Sequence, residues 1–135
     1  MSTTIEGGCL CSGVRYRVTG PMMVGTLCHC RSCRRACGAP SMAWACFAPG
    51  DVEFIAGEPA VYASSPGVER TFCRQCGTPL TYRRAGGRTM DVATATLDDP
   101  DAFAPTKEIW TEHKLSWECT NPAMQQFARS SSGQA

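Results

Sequence analysis

The sequence predicts a single, mainly β domain, and three observations carry that prediction. Short apolar segments recur with Gly- and Pro-rich turns between them. Stretches with helical periodicity are few and brief. Cysteine is unusually frequent, with 10 in 135 residues, so cross-links help a modest core to hold the chain. The hydrophobic share of 43% is that of a globular domain rather than a disordered one.

The elements follow in order. Residues 14–18, Val-Arg-Tyr-Arg-Val, alternate apolar and polar, as a half-buried strand does. Residues 41–47 are apolar at nearly every position, which suits a strand covered on both faces. Segments 52–55 and 60–63 flank a turn at Gly57 and Pro59. A second turn, Ser64-Ser65-Pro66-Gly67, leads into 70–73, with proline setting φ and glycine accepting a positive value. Segments 80–83 and 90–94 read as a hairpin, and 109–110 as a short strand. Helix is expected over 32–37, stopped by Gly38 and Pro40, and as a turn at 100–103. Asn121-Pro122 predicts a short closing helix with Met124, Phe127 and Ala128 on one face. The domain is expected to span 5–129, with 1–4 and 130–135 as disordered tails.

The N-terminal residues show neither a basic region nor an apolar core of a signal peptide, and no apolar run is long enough to span a bilayer. A cytoplasmic location is therefore expected, where clustered cysteines bind metal rather than form disulfides. The formal charge of +1, without a basic run, argues against nucleic acid as a partner.

The cysteines sort by spacing. Cys73-Arg74-Gln75-Cys76-Gly77 has the pattern of a zinc knuckle: two intervening residues let both sulfurs face one ion, and glycine closes the turn. Cys9 and Cys11, flanked by glycines, can supply the other two ligands of a closed tetrahedral site. Such a site ties together distant parts of the chain. The alternative is that Cys73 and Cys76 act alone as a redox pair, but no thioredoxin-like βαβ pattern surrounds them. Cys28, Cys30 and Cys33 offer three thiolates as the chain leaves a strand and enters a helical turn. Three protein ligands with a free fourth position describe a catalytic zinc. Cys37, one helical turn on, is an alternative fourth ligand that would close this site. Arg31, Arg34 and Arg35 either offset the thiolate charge or grip a carboxylate on a ligand. His29 is expected to point away from the metal, towards its surroundings or the surface, and Cys46 and Cys119 to fill core.

The motif order is specific: Cys9-Leu10-Cys11, then Cys28 to Arg35, then Gly38-Ala39-Pro40, then Arg70 to Leu80 with Phe72, Cys73 and Cys76. It resembles the family of glutathione-dependent formaldehyde-activating enzymes, which includes centromere protein V. The stretches from Ala95 to Pro100, Ile109-Trp110 and His113 to Trp117 extend the likeness, so that it runs from about Gly8 to Trp117. The resemblance implies a β-tent of small antiparallel sheets. It makes Cys9, Cys11, Cys73 and Cys76 ligands of a structural zinc, and Cys28, Cys30 and Cys33 ligands of a catalytic one. It also implies the joining of formaldehyde to glutathione to give S-hydroxymethylglutathione, a carbon–sulfur lyase reaction run backwards. At Cys37 the chain departs from the family, which more often carries a small residue such as serine.

On chemical grounds, zinc with an open position lowers the pKa of a bound thiol and brings it to the aldehyde. Glutathione's two carboxylates give Arg31, Arg34 and Arg35 a target. His113 or a water is the available proton donor, and Trp44, Trp110, His113 and Trp117 are candidate pocket residues, although tryptophan also serves as core. Two other readings are a related enzyme on another small thiol adduct and a non-catalytic zinc module that binds a partner. Monomer and homodimer both fit the sequence.

Overall fold

The computed structural model describes residues 4–131. Most of the tail residues expected at either end lie outside that range. The described residues form two sheets and one α-helix. Strands β1 (Ile5–Gly8), β2 (Arg15–Val18) and β5 (Val52–Ala56) make an antiparallel three-stranded sheet in the order β1-β2-β5. The larger sheet contains β3 (Val24–Cys28), β4 (Met42–Phe47), β6 (Ala60–Ser65), β7 (Val68–Phe72), β8 (Pro79–Arg84), β9 (Met90–Ala93), β10 (Lys107–Ile109) and β11 (Gln125–Gln126). Its eight strands run β11-β10-β3-β4-β9-β8-β7-β6. Every pairing is antiparallel except those of β10, which lies parallel to both β3 and β11.

The larger sheet is buried on both faces where β4 crosses its middle. Ala45, Phe47 and Val92 point to one face and pack with Tyr16 and Val18 of the small sheet and with Leu80. Removing a side chain such as Phe47 or Leu80 fully from water stabilises the fold by about 1.5–3 kcal/mol each. Trp44, Cys46 and Ala93 alternate onto the opposite face, where they meet Cys28 and Cys33. Helix α1 (Arg31–Cys37) lies over that second face and buries Cys33 there. The continuous apolar run of 41–47 is thus a central strand serving two cores.

The mainly β prediction holds. The 80–83 and 90–94 segments pair as expected, through β8 and β9. Segments 52–55 and 60–63 also form strands, but they part company at the Gly57 turn: β5 joins the small sheet and β6 the large one. Gly57 has φ +72°, and a Cβ there would run into the carbonyl oxygen of Gly13. The turn is thereby seated against the loop that carries Cys9 and Cys11.

Two expectations need correction. The predicted closing helix is instead a turn followed by β11. Asn121 does not cap a helix; its Oδ1 accepts the Ala123 N–H at 2.9 Å, a side-chain turn. The segment's backbone is satisfied sideways by β10 and its flanks, with Gln125 N–H donating to Thr106 O and Phe127 N–H to Glu108 O. Cys119, expected as core, is exposed. Strand β1 was not legible, because Gly7-Gly8 reads as loop. The strand forms because β1 lies close over Tyr16, whose ring leaves no room for a Cβ at Gly7.

Candidate metal centres

All ten cysteines are free thiols, and seven of them fall into two groups whose sulfurs lie within 4.8 Å of one another. The first group is Cys9, Cys11, Cys73 and Cys76. Its sulfurs stand 3.6 Å apart for Cys9 and Cys11, and 3.7 Å for Cys11 and Cys73. A tetrahedral zinc with bonds of about 2.3 Å needs sulfurs about 3.8 Å apart, whereas a disulfide needs about 2.0 Å. Geometry and donor set both fit zinc.

Local backbone explains the placement. Gly77 takes φ +81°, and its N–H closes the knuckle on the Cys73 carbonyl at 2.8 Å. The Gln75 and Cys76 N–H groups point at the Cys73 sulfur, at 3.4 and 3.5 Å. On the other side Val14 N–H donates to the Cys9 sulfur at 3.3 Å. Hydrogen bonds from the Thr78 hydroxyl, then its backbone, then Cys11 N–H push the Cys76 thiol down to about 5. Gly13 N–H favours a Cys11 thiolate, yet the three neighbouring sulfurs outweigh it and push Cys11 up to about 11. Four thiolates cannot share this space without a cation.

The second group is Cys28, Cys30 and Cys33. Cys28 ends β3, Cys30 is the N-cap of α1, and Cys33 sits in its first turn. The Cys30 sulfur accepts the Cys33 N–H at 3.3 Å, so a candidate ligand atom also caps the helix. Gly38 ends the helix at φ +66° with its N–H on Arg34 O, as the Gly38 stop predicted. Hydrogen bonds from Cys28 and then Cys33 pull the Cys30 pKa down, while the same contacts and burial push Cys28 up.

Cys37 does not join this group. Its S–H faces the carbonyls of Arg34 and Ser41, at 3.8 and 3.9 Å. Among the described residues the second group therefore offers three sulfurs to a metal ion.

The surroundings differ from expectation in instructive ways. Of the three helix arginines, Arg34 and Arg35 line a groove of about 380 Å³ together with Gly38, Ala39, Pro40, Leu115 and Trp117. Arg31 is exposed and is not part of that lining. Trp117 presents 68% of its surface beside the groove, whereas Trp44 is core, packed in one buried cluster with Cys28 and Cys33. Trp110 packs against the core around Cys28, and His113 stacks on the Trp110 ring at 5.5 Å.

His29 points away from the sulfurs but is wholly buried rather than at the surface. Its Nε2 meets Glu108 Oε1 at 2.7 Å, and its backbone N–H donates to Ile109 O at 3.0 Å. Burial alone would raise the Glu108 carboxyl, but hydrogen bonds from Gln126, His29 and the Asn121 N–H hold it below the ordinary carboxylate range. This pair braces β10 against the strand that delivers Cys28.

Arg70 was missed. It lies on β7, half-buried, with Nη2 at 3.9 Å from the Cys33 sulfur. The available signal was a lone arginine on a strand running directly into the knuckle.

A sequence profile of the glutathione-dependent formaldehyde-activating enzymes matches residues 4–113. The chain belongs to that family. An uncharacterized lyase of Schizosaccharomyces pombe is 35% identical over 114 residues, which cover 73% of this chain and 82% of the relative. A crystal structure of a Rhodobacter sphaeroides protein superposes with a TM-score of 0.59 at 20% identity, covering 90% of this chain and 98% of that one. At that identity the likeness is one of fold. Both cysteine groups lie inside the stretch matched by the formaldehyde-activating family.

Proposed function

We propose that this protein joins formaldehyde to glutathione to give S-hydroxymethylglutathione, acting as a carbon–sulfur lyase in the reverse direction. In this reading it works in the cytoplasm with two zinc ions per chain, one structural at Cys9, Cys11, Cys73 and Cys76 and one catalytic at Cys28, Cys30 and Cys33. The observation that carries the reading is the three-sulfur centre, without a fourth protein sulfur among the described residues, at the start of the helix whose Arg34 and Arg35 line a groove. The family match and the lyase named among its relatives support it.

Zinc at Cys28, Cys30 and Cys33 would keep a bound thiol as thiolate at neutral pH. The chain's own residues do the rest. Arg34 and Arg35 receive glutathione's carboxylates, and the exposed Trp117 face covers its backbone. The thiolate lone pair forms the C–S bond, the carbonyl π pair moves to oxygen, and water protonates the resulting alkoxide. His113, held on Trp110, is a proposed neighbour of that water rather than an assigned acid.

The test is the exchange of formaldehyde with glutathione followed by NMR on zinc-loaded protein. Acceleration over the uncatalysed exchange, lost in Cys33→Ser, is the expected result. No acceleration removes this reaction.

A further inference from the structure

Arg70 differs from the ion-paired arginines of the small sheet and the C-terminal segment. Arg15, Arg17 and Arg129 each lie against a carboxylate. No carboxylate of the described residues lies within salt-bridge distance of Arg70. Its guanidinium is nevertheless fixed in place. Nε donates to Ser64 Oγ at 3.1 Å, Nη2 reaches the Cys33 sulfur at 3.9 Å, and the group lies over the Tyr82 ring at 4.9 Å. Register explains the stacking: Arg70 pairs with Tyr82, Tyr82 with Asp91, and Asp91 with Cys46, so these four share one face of the sheet. Asp91, the acid of that row, is engaged by Thr89 Oγ1 at 2.8 Å. The remaining nitrogen, Nη1, is buried and has no hydrogen-bond partner among the described residues.

A buried, charged donor with one nitrogen on a metal-ligand sulfur and the adjoining one free is costly unless something anionic takes the free position. We propose that Arg70 is the anion-holding residue of the three-cysteine centre: Nη2 steadies the Cys33 thiolate, and Nη1 takes an anionic oxygen of the bound ligand. This rests on the reading of Cys28, Cys30 and Cys33 as a metal centre that binds a thiol. In the proposed reaction that oxygen is the alkoxide formed as the C–S bond closes. Guanidinium stays charged and only hydrogen-bonds it; the proton still comes from water.

The test uses two readouts, neither of which needs formaldehyde. Chelator competition on the zinc-loaded protein measures affinity at the second centre. Mercaptoacetate and ethanethiol, titrated into cobalt-loaded protein, measure whether a thiol with an anionic oxygen is preferred, read from the sulfur-to-cobalt charge-transfer bands. Arg70→Gln should lower zinc affinity at the second centre 10–100-fold, with the first centre unchanged. Wild type should prefer mercaptoacetate about tenfold, and the variant should lose that preference. Arg70→Lys keeps the charge but cannot make both contacts, so it should lose the preference at least in part, and it carries the test if the Gln variant does not fold. A wild type without preference, or a variant within twofold of wild type on either readout, overturns the proposal. An inactive wild type in the formaldehyde exchange would remove the proposed reaction and leave this result standing.

Discussion

The two cysteine centres are built in opposite ways. The four-sulfur centre draws Cys9 and Cys11 from one loop and Cys73 and Cys76 from another far along the chain, and backbone N–H groups hold its sulfurs. The three-sulfur centre takes all its ligands from one strand end and one helical turn. Its support comes from side chains of the large sheet: Cys33 packs in one cluster with Trp44, and Arg70 Nη2 reaches its sulfur. A centre that closes a long loop stabilises the fold, because the unfolded chain loses most by being cross-linked there. A centre made locally closes no such loop, which fits the proposed catalytic role of a metal held there.

The largest difference should appear when a ligand is removed from each. Structural zinc contributes on the order of 10 kcal/mol to folding, comparable with the whole stability of a domain. Cys73→Ser or Cys76→Ser should therefore give unfolded or insoluble protein, checked by soluble yield and circular dichroism. Cys30→Ser should stay folded, since serine is itself a good N-cap for α1, and its melting temperature should fall by only a few degrees. Equal damage from both would break the comparison.

Removing a support rather than a ligand sharpens it. Glu108→Ala leaves the buried His29, together with the exposed Gln126 and the Asn121 N–H, without their shared partner. A loss of about 1–3 kcal/mol is expected from urea melts. A loss below 1 kcal/mol would mean that β10 is held by its backbone pairing alone.

The groove is the next step down. Replacing Arg34 and Arg35 together by Gln should weaken glutathione binding to the zinc-loaded protein by roughly tenfold, measured by calorimetry, and leave the melting temperature within a few degrees. Unchanged binding would move the glutathione carboxylates elsewhere.

The smallest effect lies far from the second centre. Asp98 accepts two hydrogen bonds from Arg15, at 3.0 and 2.6 Å. That hydrogen bonding, with the arginine's charge, holds its carboxyl below the ordinary value despite slight burial. A depressed folded-state pKa means a contribution that is complete above the unfolded value near 3.9 and fades as pH falls through the folded one. The pair is largely exposed, so Asp98→Asn should cost about 0.5 kcal/mol or less at pH 7 and flatten the acid limb below about pH 4.

What the sequence revealed of these centres follows from the same contrast. Ligand spacing is local chemistry, so Cys73-x-x-Cys76-Gly77 and Cys28-x-Cys30-x-x-Cys33 were readable directly, as were the helix stop at Gly38 and the hairpin of β8 and β9. The parallel seat of β10 between β3 and β11 was not, because its partners lie far away in sequence and Asn121-Pro122 imitates a helix start. Arg70, Trp44 and Glu108 were invisible as supports for a related reason. Each acts across strands or between segments, on a residue that neither spacing nor periodicity connects to it. Arg34 and Arg35 stood out because they are neighbours of Cys33 in the chain, while Arg70 is its neighbour only in space.

The central claim is that the second centre offers three protein sulfurs and accepts a fourth from a thiol. Zinc-edge X-ray absorption on protein carrying two zinc ions per chain measures this directly. Before thiol is added, the account predicts a mixed shell, mostly sulfur with a lighter atom, and an all-sulfur shell once glutathione is present. An all-sulfur shell in the absence of thiol, or a mixed shell that glutathione leaves unchanged, would contradict it.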